Sequence, residues 1–293
     1  MVDRSHERPE VRVEAAVGGW PHPWPNVAEI ADVLPSDQWT LVGGLMTQLH
    51  TVHRGLGVVR PTNDVDILLH IETARGVPAK AAIALETLGY RLQEKIDPRD
   101  NTAHRWVRHD QVVDVGGGGG QVNGEEDLQQ DDDDDQQQEQ EQEQRQRRQE
   151  EHHVDVLAAD HPAPIVIEQM RGRDMVPIDG GTQALKRTVN AVLDIRPDGP
   201  TTISVPRPFA AVILKAAAYL TDSRNRDRHL FDAAALLACI EDPFAETEHL
   251  AGSDRRRIRT LVDELPDNHP GWLPLDRVAR ANAQAALRIL GTA

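Results

Sequence analysis

One stretch of the chain cannot contribute to a packed core, and this limits what the rest can fold into. Residues 116–150 begin with five consecutive glycines and continue through five consecutive aspartates and a glutamine–glutamate repeat, with almost no apolar residue. Such a composition cannot bury enough apolar surface to offset the entropy of ordering it. We therefore expect a disordered insertion, either a solvated loop or an acidic arm that binds a partner. The folded protein must form from the sequence on either side.

The same stretch supplies most of the negative charge. The 293 residues carry a net charge of −16, of which twelve acidic residues and three arginines at 116–150 contribute −9. The remainder is mildly acidic and lacks the general basic character of a nucleic-acid-binding surface. The single cysteine, Cys239, lies in an apolar helical pattern, which predicts a buried thiol and favours a reducing, cytoplasmic setting. No apolar run is long enough to cross a bilayer, so we expect no membrane partner.

Hydrophobic periodicity predicts an α+β lobe, with a mixed sheet and flanking helices, followed by a mostly helical lobe. In the first lobe we expect strands at residues 38–42 and 64–69, a hairpin of 104–108 with 111–115, and helices at residues 26–34, 45–55 and 78–88. Ordered sequence resumes at residues 152–157, with extended segments at 186–195 and 201–205 and helices at 208–220, 230–240, 254–265 and 275–290. The predicted divisions are a flexible tail at 1–19, a first domain at 20–206 and a helical domain at 207–293.

The entry to the first helix is rich in proline. Pro21, Pro23 and Pro25 each lack a backbone N–H and have a fixed φ, so no regular structure is expected before residue 26. Asn26 is a residue type that commonly caps helices, and the next helix is predicted to start there.

Two aspartates on one predicted strand form the core of a candidate site. Asp64 and Asp66 are two residues apart, so both carboxylates project from the same face of the strand. Their mutual repulsion is relieved by a divalent cation placed between them. Mg²⁺ suits such a site, because it is held by one or two carboxylates while nucleotide phosphates complete its shell. Two cations are expected, one at the attacking oxygen and one at the leaving pyrophosphate.

Gly43 and Gly44 lie between a predicted strand and a predicted helix. Without Cβ atoms, the backbone can approach a phosphate closely, and its amides lie at the positive end of the helix. Either pair alone is weak evidence for a functional site, because many Asp-x-Asp pairs lie on solvated strand edges and many Gly-Gly pairs lie in turns. The order strand, Gly-Gly, helix and then Arg60-x-Thr62-x-Asp64-x-Asp66 is more specific.

These motifs resemble the minimal nucleotidyltransferases of the AbiEii/AbiGii toxin group, in the polymerase-β-like superfamily. The resemblance runs over Leu41-Val42-Gly43-Gly44 and Arg60-Pro61-Thr62-Asn63-Asp64-Val65-Asp66. It implies a polymerase-β-like nucleotidyltransferase lobe that transfers a nucleoside monophosphate from an NTP to RNA, tRNA or protein, with a cognate antitoxin as a partner. It implies contacts to the NTP from the residues Gly43, Gly44, Arg60, Thr62 and Lys215.

The resemblance also implies a third metal-binding carboxylate on a later strand. Two near copies flank the insertion, one with Asp114 between two valines and the other with Asp155. Asp114 has the natural distance from the predicted hairpin turn. Asp155 is preferred, because the residues after it match the continuation found in the family.

A lysine and an aspartate in the helical lobe extend the match. Lys215 lies in an otherwise apolar helical segment, where its charge is costly unless the side chain reaches solvent or meets an anion. The resemblance implies a contact of Lys215 with the triphosphate, and Asp232 is the candidate to pair with it. Two other functions stay open: a non-catalytic protein that binds nucleotide or a partner, and a small-molecule adenylyltransferase of the aminoglycoside-modifying kind.

Overall fold

The computed structural model describes residues 8–57, 60–72, 75–95, 97, 99–109, 151–160 and 169–293. The insertion at residues 116–150, the predicted strand at 111–115 and Asp114 lie outside these residues. Helices and mixed sheets combine in the described residues, so the predicted α+β class is confirmed. None of the helices in those ranges has the length and apolar character needed to cross a membrane.

Eleven strands occur in the described ranges. They are β1 (Glu10–Val13), β2 (Trp39–Val42), β3 (Asp64–Leu69), β4 (Arg91–Leu92), β5 (Thr102–Ala103), β6 (Arg105–His109), β7 (Glu151–Ala159), β8 (Gln169–Met170), β9 (Arg173–Ile178), β10 (Thr188–Arg196) and β11 (Gly199–Pro206). The larger sheet has the order β2-β3-β7-β6-β4, with β9 beside the end of β7. Strands β3 and β7 are parallel, and the other neighbours along that path are antiparallel.

The two central strands have one apolar and one polar face. Along β7, buried residues alternate with half-buried ones, and β3 begins with the same alternation. This period of two places Val65, Ile67, Val154 and Val156 in the core, while the aspartates between them face the opposite side. The predicted strand 104–108 corresponds to β6, which pairs antiparallel with β7 on one side and with β4 on the other.

A second sheet corrects the predicted flexible tail. Strand β1, at residues 10–13, pairs in parallel with β10, which forms an antiparallel hairpin with β11. Val13 is fully buried in the core. The short segment has no strong periodicity of its own, and it is ordered by pairing with residues far along the chain.

Nine α-helices occur in the described residues. They are α1 (Trp24–Val33), α2 (Gly43–His53), α3 (Val77–Thr87), α4 (Gly181–Leu185), α5 (Pro208–Thr221), α6 (Asp227–Leu237), α7 (Pro243–Thr247), α8 (Asp254–Glu264) and α9 (Arg277–Thr292). The predicted start of the first helix is wrong: α1 begins at Trp24, and Asn26 is buried inside it. Pro25 is tolerated because the first turn of a helix leaves its N–H groups without intrahelical partners.

Helix α5 connects the sheets to the helical lobe. Ten of its residues are buried, including Phe209, Ile213 and Lys215. It packs against α6 and α8, and α6 also contacts α2 beside the larger sheet. Cys239, just after α6, is buried as predicted, and burial raises the pKa of its thiol to about 12.

Candidate active site

One row of side chains crosses the polar face of the larger sheet. Asp66 lies opposite Val42 of β2 on one side and Asp155 of β7 on the other. Asp155 in turn lies opposite Arg105 of β6. The backbone register therefore brings Asp66, Asp155 and Arg105 together, with Asp64 two residues away on the same face of β3.

Arg105 holds Asp155 with a two-pronged ion pair. Its Nε and Nη2 atoms donate to the two carboxylate oxygens over 2.8 and 2.7 Å. The Nη2 atom of Arg105 also lies 3.9 Å from Oδ2 of Asp64. The hydrogen bonds from Arg105 to Asp155, together with the charges of Asp155 and Asp64, raise the pKa of the guanidinium above its usual value. Arg105 is thus a permanent cation inside the carboxylate cluster.

Asp66 has a different environment. Within the described part of the chain, no hydrogen-bond donor reaches its carboxylate, which is half-buried. Burial raises the pKa of Asp66 to about 6, and the neighbouring charges of Asp155 and Asp64 add to that rise, while Lys215 opposes it. The position therefore carries an excess of negative charge that the protein itself does not neutralise.

Asp64 contacts a histidine. Its Oδ1 atom lies 3.3 Å from Nδ1 of His153, the residue that faces it on β7. The imidazole and the distant guanidinium of Arg105 leave part of the Asp64 carboxylate accessible, since its side chain is 39% exposed.

The two glycines are required by close approach of side chains. Gly43 has φ of +67°, and a Cβ atom there would lie 1.8 Å from Oδ2 of Asp66. A Cβ atom at Gly44 would lie 2.8 Å from the side chain of Thr62. The Gly-Gly pair thus lets the start of α2 pack directly against Asp66, and the first turn of a helix leaves N–H groups without intrahelical partners.

A second cluster of charged side chains contains Lys215, Asp232 and Arg60, which come from α5, α6 and the segment before β3. Lys215 donates from Nζ to Asp232 over 2.7 Å, which is the pairing predicted from the sequence. Arg60 donates to both oxygens of Asp232 over 3.1 Å each. Burial alone would raise the pKa of Asp232, but Lys215 and Arg60 together lower it below its usual value. Asp232 stays charged and holds two cations at the edge of the cleft.

Residues 222–228, which include Arg224, Arg226 and Arg228, form the rim of the cleft next to Lys215 and are called the basic loop. Asp222 accepts hydrogen bonds from the backbone N–H groups of Arg224 and Asn225 and from the side chains of Arg228 and His229. The bond from the Arg224 N–H is the leading cause that lowers the pKa of Asp222 far below its usual range. Arg224 and Arg228 are thereby directed along the rim.

These groups line one cavity of about 1040 Å³. The carboxylates, both glycines, Arg60 and Lys215 form its polar floor and walls, and Leu157, Val176, Ile178 and Leu214 give it an apolar side. This volume lies at the upper end of the range of small-molecule sites, about 300–1,000 Å³. A charged group and an adjoining flat apolar group can therefore bind together.

The donor set fits a divalent cation at Asp64 and Asp66. Among the described residues, no three His, Cys, Asp or Glu side chains converge to form a metal site as they stand. Both oxygens of Asp155 are directed to Arg105, whereas Asp66 has no donor and its pKa is raised by burial and by like charge. A hard cation at Asp66 would offset that charge, and Asp64 would provide the second ligand.

Most of the residues predicted from the sequence thus line one cleft: Gly43, Gly44, Arg60, Thr62, Asp64, Asp66, Asp155 and Lys215. Asp232 supports two of them from behind. Arg105 and Asp222 were not anticipated, because their contacts depend on strand register and on a turn. The chain matches no family model, no curated protein and no solved structure.

Proposed function

We propose that this cleft is the active site of a metal-dependent nucleotidyltransferase with a polymerase-β-like lobe, similar to the AbiEii/AbiGii toxin group. The observation that carries the proposal is the alignment of Asp66 with Asp155 across parallel strands, with Asp64 on the same face. The start of α2 at Gly43 adds backbone donors beside these carboxylates, and Lys215 with Arg60 adds positive charge opposite them.

Each part of the cleft has a role in this chemistry. The amides at the start of α2, with Lys215, Arg60 and the basic loop, bind the triphosphate of an NTP. The apolar side at Leu157, Val176 and Leu214 receives the base. Asp64 and Asp66 would hold Mg²⁺, which when bound supplies charge stabilisation at the attacking and leaving oxygens. Asp155 orients the acceptor hydroxyl beside the α-phosphate.

The acceptor proposed is RNA, including tRNA, and the protein would then be the toxin of a toxin–antitoxin pair. This rests on the sequence resemblance and on the size of the cavity, about 1040 Å³, which lies at the upper end of the range of small-molecule sites. The described surface adds a basic loop at the mouth of the cleft, where the phosphates of a polyanionic acceptor would lie.

Incubation of the full chain with each α-labelled NTP, Mg²⁺ and total RNA tests the proposal. We expect label in RNA, lost on addition of EDTA and lost in the Asp64→Asn and Asp66→Asn variants. Asp194→Asn removes an exposed partner of Arg12 far from the cleft and serves as the matched control, with unchanged transfer. A parallel incubation contains an aminoglycoside in place of RNA, and label on that compound would support a small-molecule adenylyltransferase. NTP retention without transfer to any acceptor would support a binding protein.

A further inference from the structure

The carboxylate cluster contains a cation of its own. Asp64, Asp66 and Asp155 form the negative face, and Arg105 is the guanidinium on the same row. Both hydrogen bonds from Arg105 go to Asp155, and both are short. Charge-assisted bidentate pairs of this kind are among the stronger polar contacts in proteins. A metal ion at Asp155 would bind a carboxylate that Arg105 already neutralises, and it would have to overcome the repulsion of the guanidinium charge.

The two remaining carboxylates are not engaged in this way. No described donor reaches Asp66. Arg105 is 3.9 Å from Asp64, beyond hydrogen-bond distance, and the nearest partner of Asp64 is the imidazole of His153, over 3.3 Å. The cluster therefore divides into one neutralised carboxylate, Asp155, and a pair that still needs positive charge. Three carboxylates in the sequence predict two bound cations. Arg105, the fourth residue of the cluster, lowers the expected number to one.

We infer that Arg105 serves as a built-in substitute for the second metal ion, so that the cluster binds one divalent cation, at Asp64 and Asp66. This inference rests on the proposed function, which needs a cation at this pair. Arg105 is then a positioning residue: it fixes the Asp155 carboxylate and supplies on that side the positive charge that a second ion would bring. Because Arg105 is part of the protein and a metal ion is not, the Asp155 side of the cluster keeps its positive charge at any metal concentration.

Binding of Mn²⁺ to the full chain, without nucleotide, measures the count directly. The signal of free Mn²⁺ in electron paramagnetic resonance gives stoichiometry and affinity. For the wild-type protein we expect one bound ion. For Arg105→Gln we expect either a second ion or binding tighter by about tenfold, because a positive charge near the site has been removed and Asp155 is released. Arg105→Lys keeps the charge, frees one Asp155 oxygen and should behave in between.

Two further variants separate release of Asp155 from a general change in charge. In Arg105→Gln combined with Asp155→Asn, the gain should disappear, since the freed ligand is absent. Arg54→Gln removes an arginine that pairs with Glu241 over 2.6 Å outside the cleft, and it should bind Mn²⁺ as the wild-type protein does. Circular dichroism checks that each variant is folded.

The outcomes distinguish this inference from the proposed function. If Asp66→Asn abolishes Mn²⁺ binding while Arg105→Gln leaves the count and affinity unchanged, the inference is wrong and the metal site stands. A gain that persists in the double variant also overturns it, because Asp155 is then not the ligand released. If Asp66→Asn binds Mn²⁺ like the wild-type protein, the proposed function itself loses its metal site.

Discussion

Asp66 is placed where a carboxylate costs folding free energy. It accepts no hydrogen bond from the described residues, and it faces Asp155 and Asp64 at short range. Its neighbour on the other side is Gly43, whose missing Cβ makes room for the carboxylate oxygen. A residue that served only to stabilise the fold would not combine these features. The arrangement is the one expected when local stability is given up for ligand binding.

The first prediction follows from that cost. Asp66→Asn keeps the shape of the side chain, removes its charge and provides an amide that can donate to Asp155. We expect the variant to be more stable than the wild-type protein by about 1–3 kcal/mol in urea unfolding with EDTA. Transfer should fall by at least about 100-fold in the labelled-NTP assay.

The exposed Asp194→Asn variant should change neither stability nor transfer, since its charge is solvated. Loss of stability in Asp66→Asn would show that Asp66 has a stabilising partner. Full activity in that variant would remove Asp66 from the reaction.

At the scale of elements, the loop between α5 and α6 is ordered by a single carboxylate. Asp222 follows the end of α5 and binds the next turn through backbone N–H groups and through Arg228 and His229. Arg226 lies with its guanidinium 4.6 Å over the ring of Tyr219, which anchors the outer side of the loop. These contacts hold the polar loop between α5 and α6 in one conformation beside Lys215.

The second prediction compares two aspartates that accept hydrogen bonds from backbone N–H groups two and three residues further along the chain. Asp222→Ala should lower stability by about 1–2 kcal/mol and raise the KM for NTP several-fold, because Arg224 and Arg228 lose their positions. Asp242→Ala removes the cap of α7, where Asp242 accepts from the N–H groups of Phe244 and Ala245.

Asp242→Ala should lower stability by a similar amount with no change in KM. Equal KM values for the two variants would mean that the loop does not bind the triphosphate. Steady-state transfer at varied NTP concentration gives KM and kcat separately.

Local pattern explains which elements could be predicted. Strand β3 begins with an alternation of polar and apolar residues, and helix α5 is a long apolar run that starts at Pro208. Their predicted bounds therefore lie within about one residue of those observed. Strand β1 was missed because its order comes from pairing with β10, about 180 residues further along the chain. The start of α1 was misplaced because prolines that disfavour a helix interior are tolerated in its first turn.

The residues of the site likewise divide into those that local sequence could predict and those that it could not. Asp64 and Asp66 could be found because their spacing on one strand fixes their common face. The pairing of Lys215 with Asp232 was predicted because a buried cation requires an anion nearby and because the family resemblance pointed to Asp232 as that anion. Arg105 could not be predicted, since its role depends on the register of β6 against β7. No property of residues 104–108 alone indicates that register.

At the scale of the whole molecule, three of the four buried histidines in the described residues have a lowered pKa, and they are distributed over the fold. His50 of α2 donates to the carbonyl of Pro206, over 2.7 Å. His70, after β3, donates to the Asp37 carbonyl and accepts from Thr40. His229 donates to Asp222. In each case burial is the leading cause that lowers the pKa to about 4.

The third prediction is that acid destabilises the protein well above the usual carboxylate range. Between pH 6.5 and pH 4 each of these histidines takes up a proton in the unfolded chain but not in the folded one. The contribution of these histidines is therefore full above pH 6.5 and falls as pH drops towards 4, by about 1 kcal/mol per pH unit for each histidine. Asp66, whose pKa is raised to about 6, takes up its proton first in the folded protein and offsets the loss from about one histidine.

Urea unfolding at a series of pH values gives this slope. His70→Gln should be less stable at pH 7 and should show a shallower slope. His249→Gln, whose side chain is exposed, should match the wild-type slope. An identical slope for His70→Gln and the wild-type protein would show that His70 does not contribute to the acid sensitivity.

The last prediction concerns the connection between β6 and β7. His109 and Glu151 are partners in the antiparallel ladder, so the chain leaves and re-enters the sheet at adjacent positions. A two-residue Asn-Gly turn can join such ends. We expect replacement of residues 110–150 by this turn to preserve the fold and to stabilise it by about 1–2 kcal/mol, because a long loop costs more closure entropy.

Transfer should be retained in the shortened chain, because Asp155 stays on the row with Asp66 while Asp114 is removed. With an RNA acceptor the rate should rise, and more so at low salt, since removal of the acidic stretch lessens repulsion of phosphates. Asp155→Asn in the shortened chain should abolish transfer and identify the third carboxylate. Loss of transfer with the fold intact in the shortened chain itself would instead assign a role in the reaction to Asp114 or to the acidic stretch.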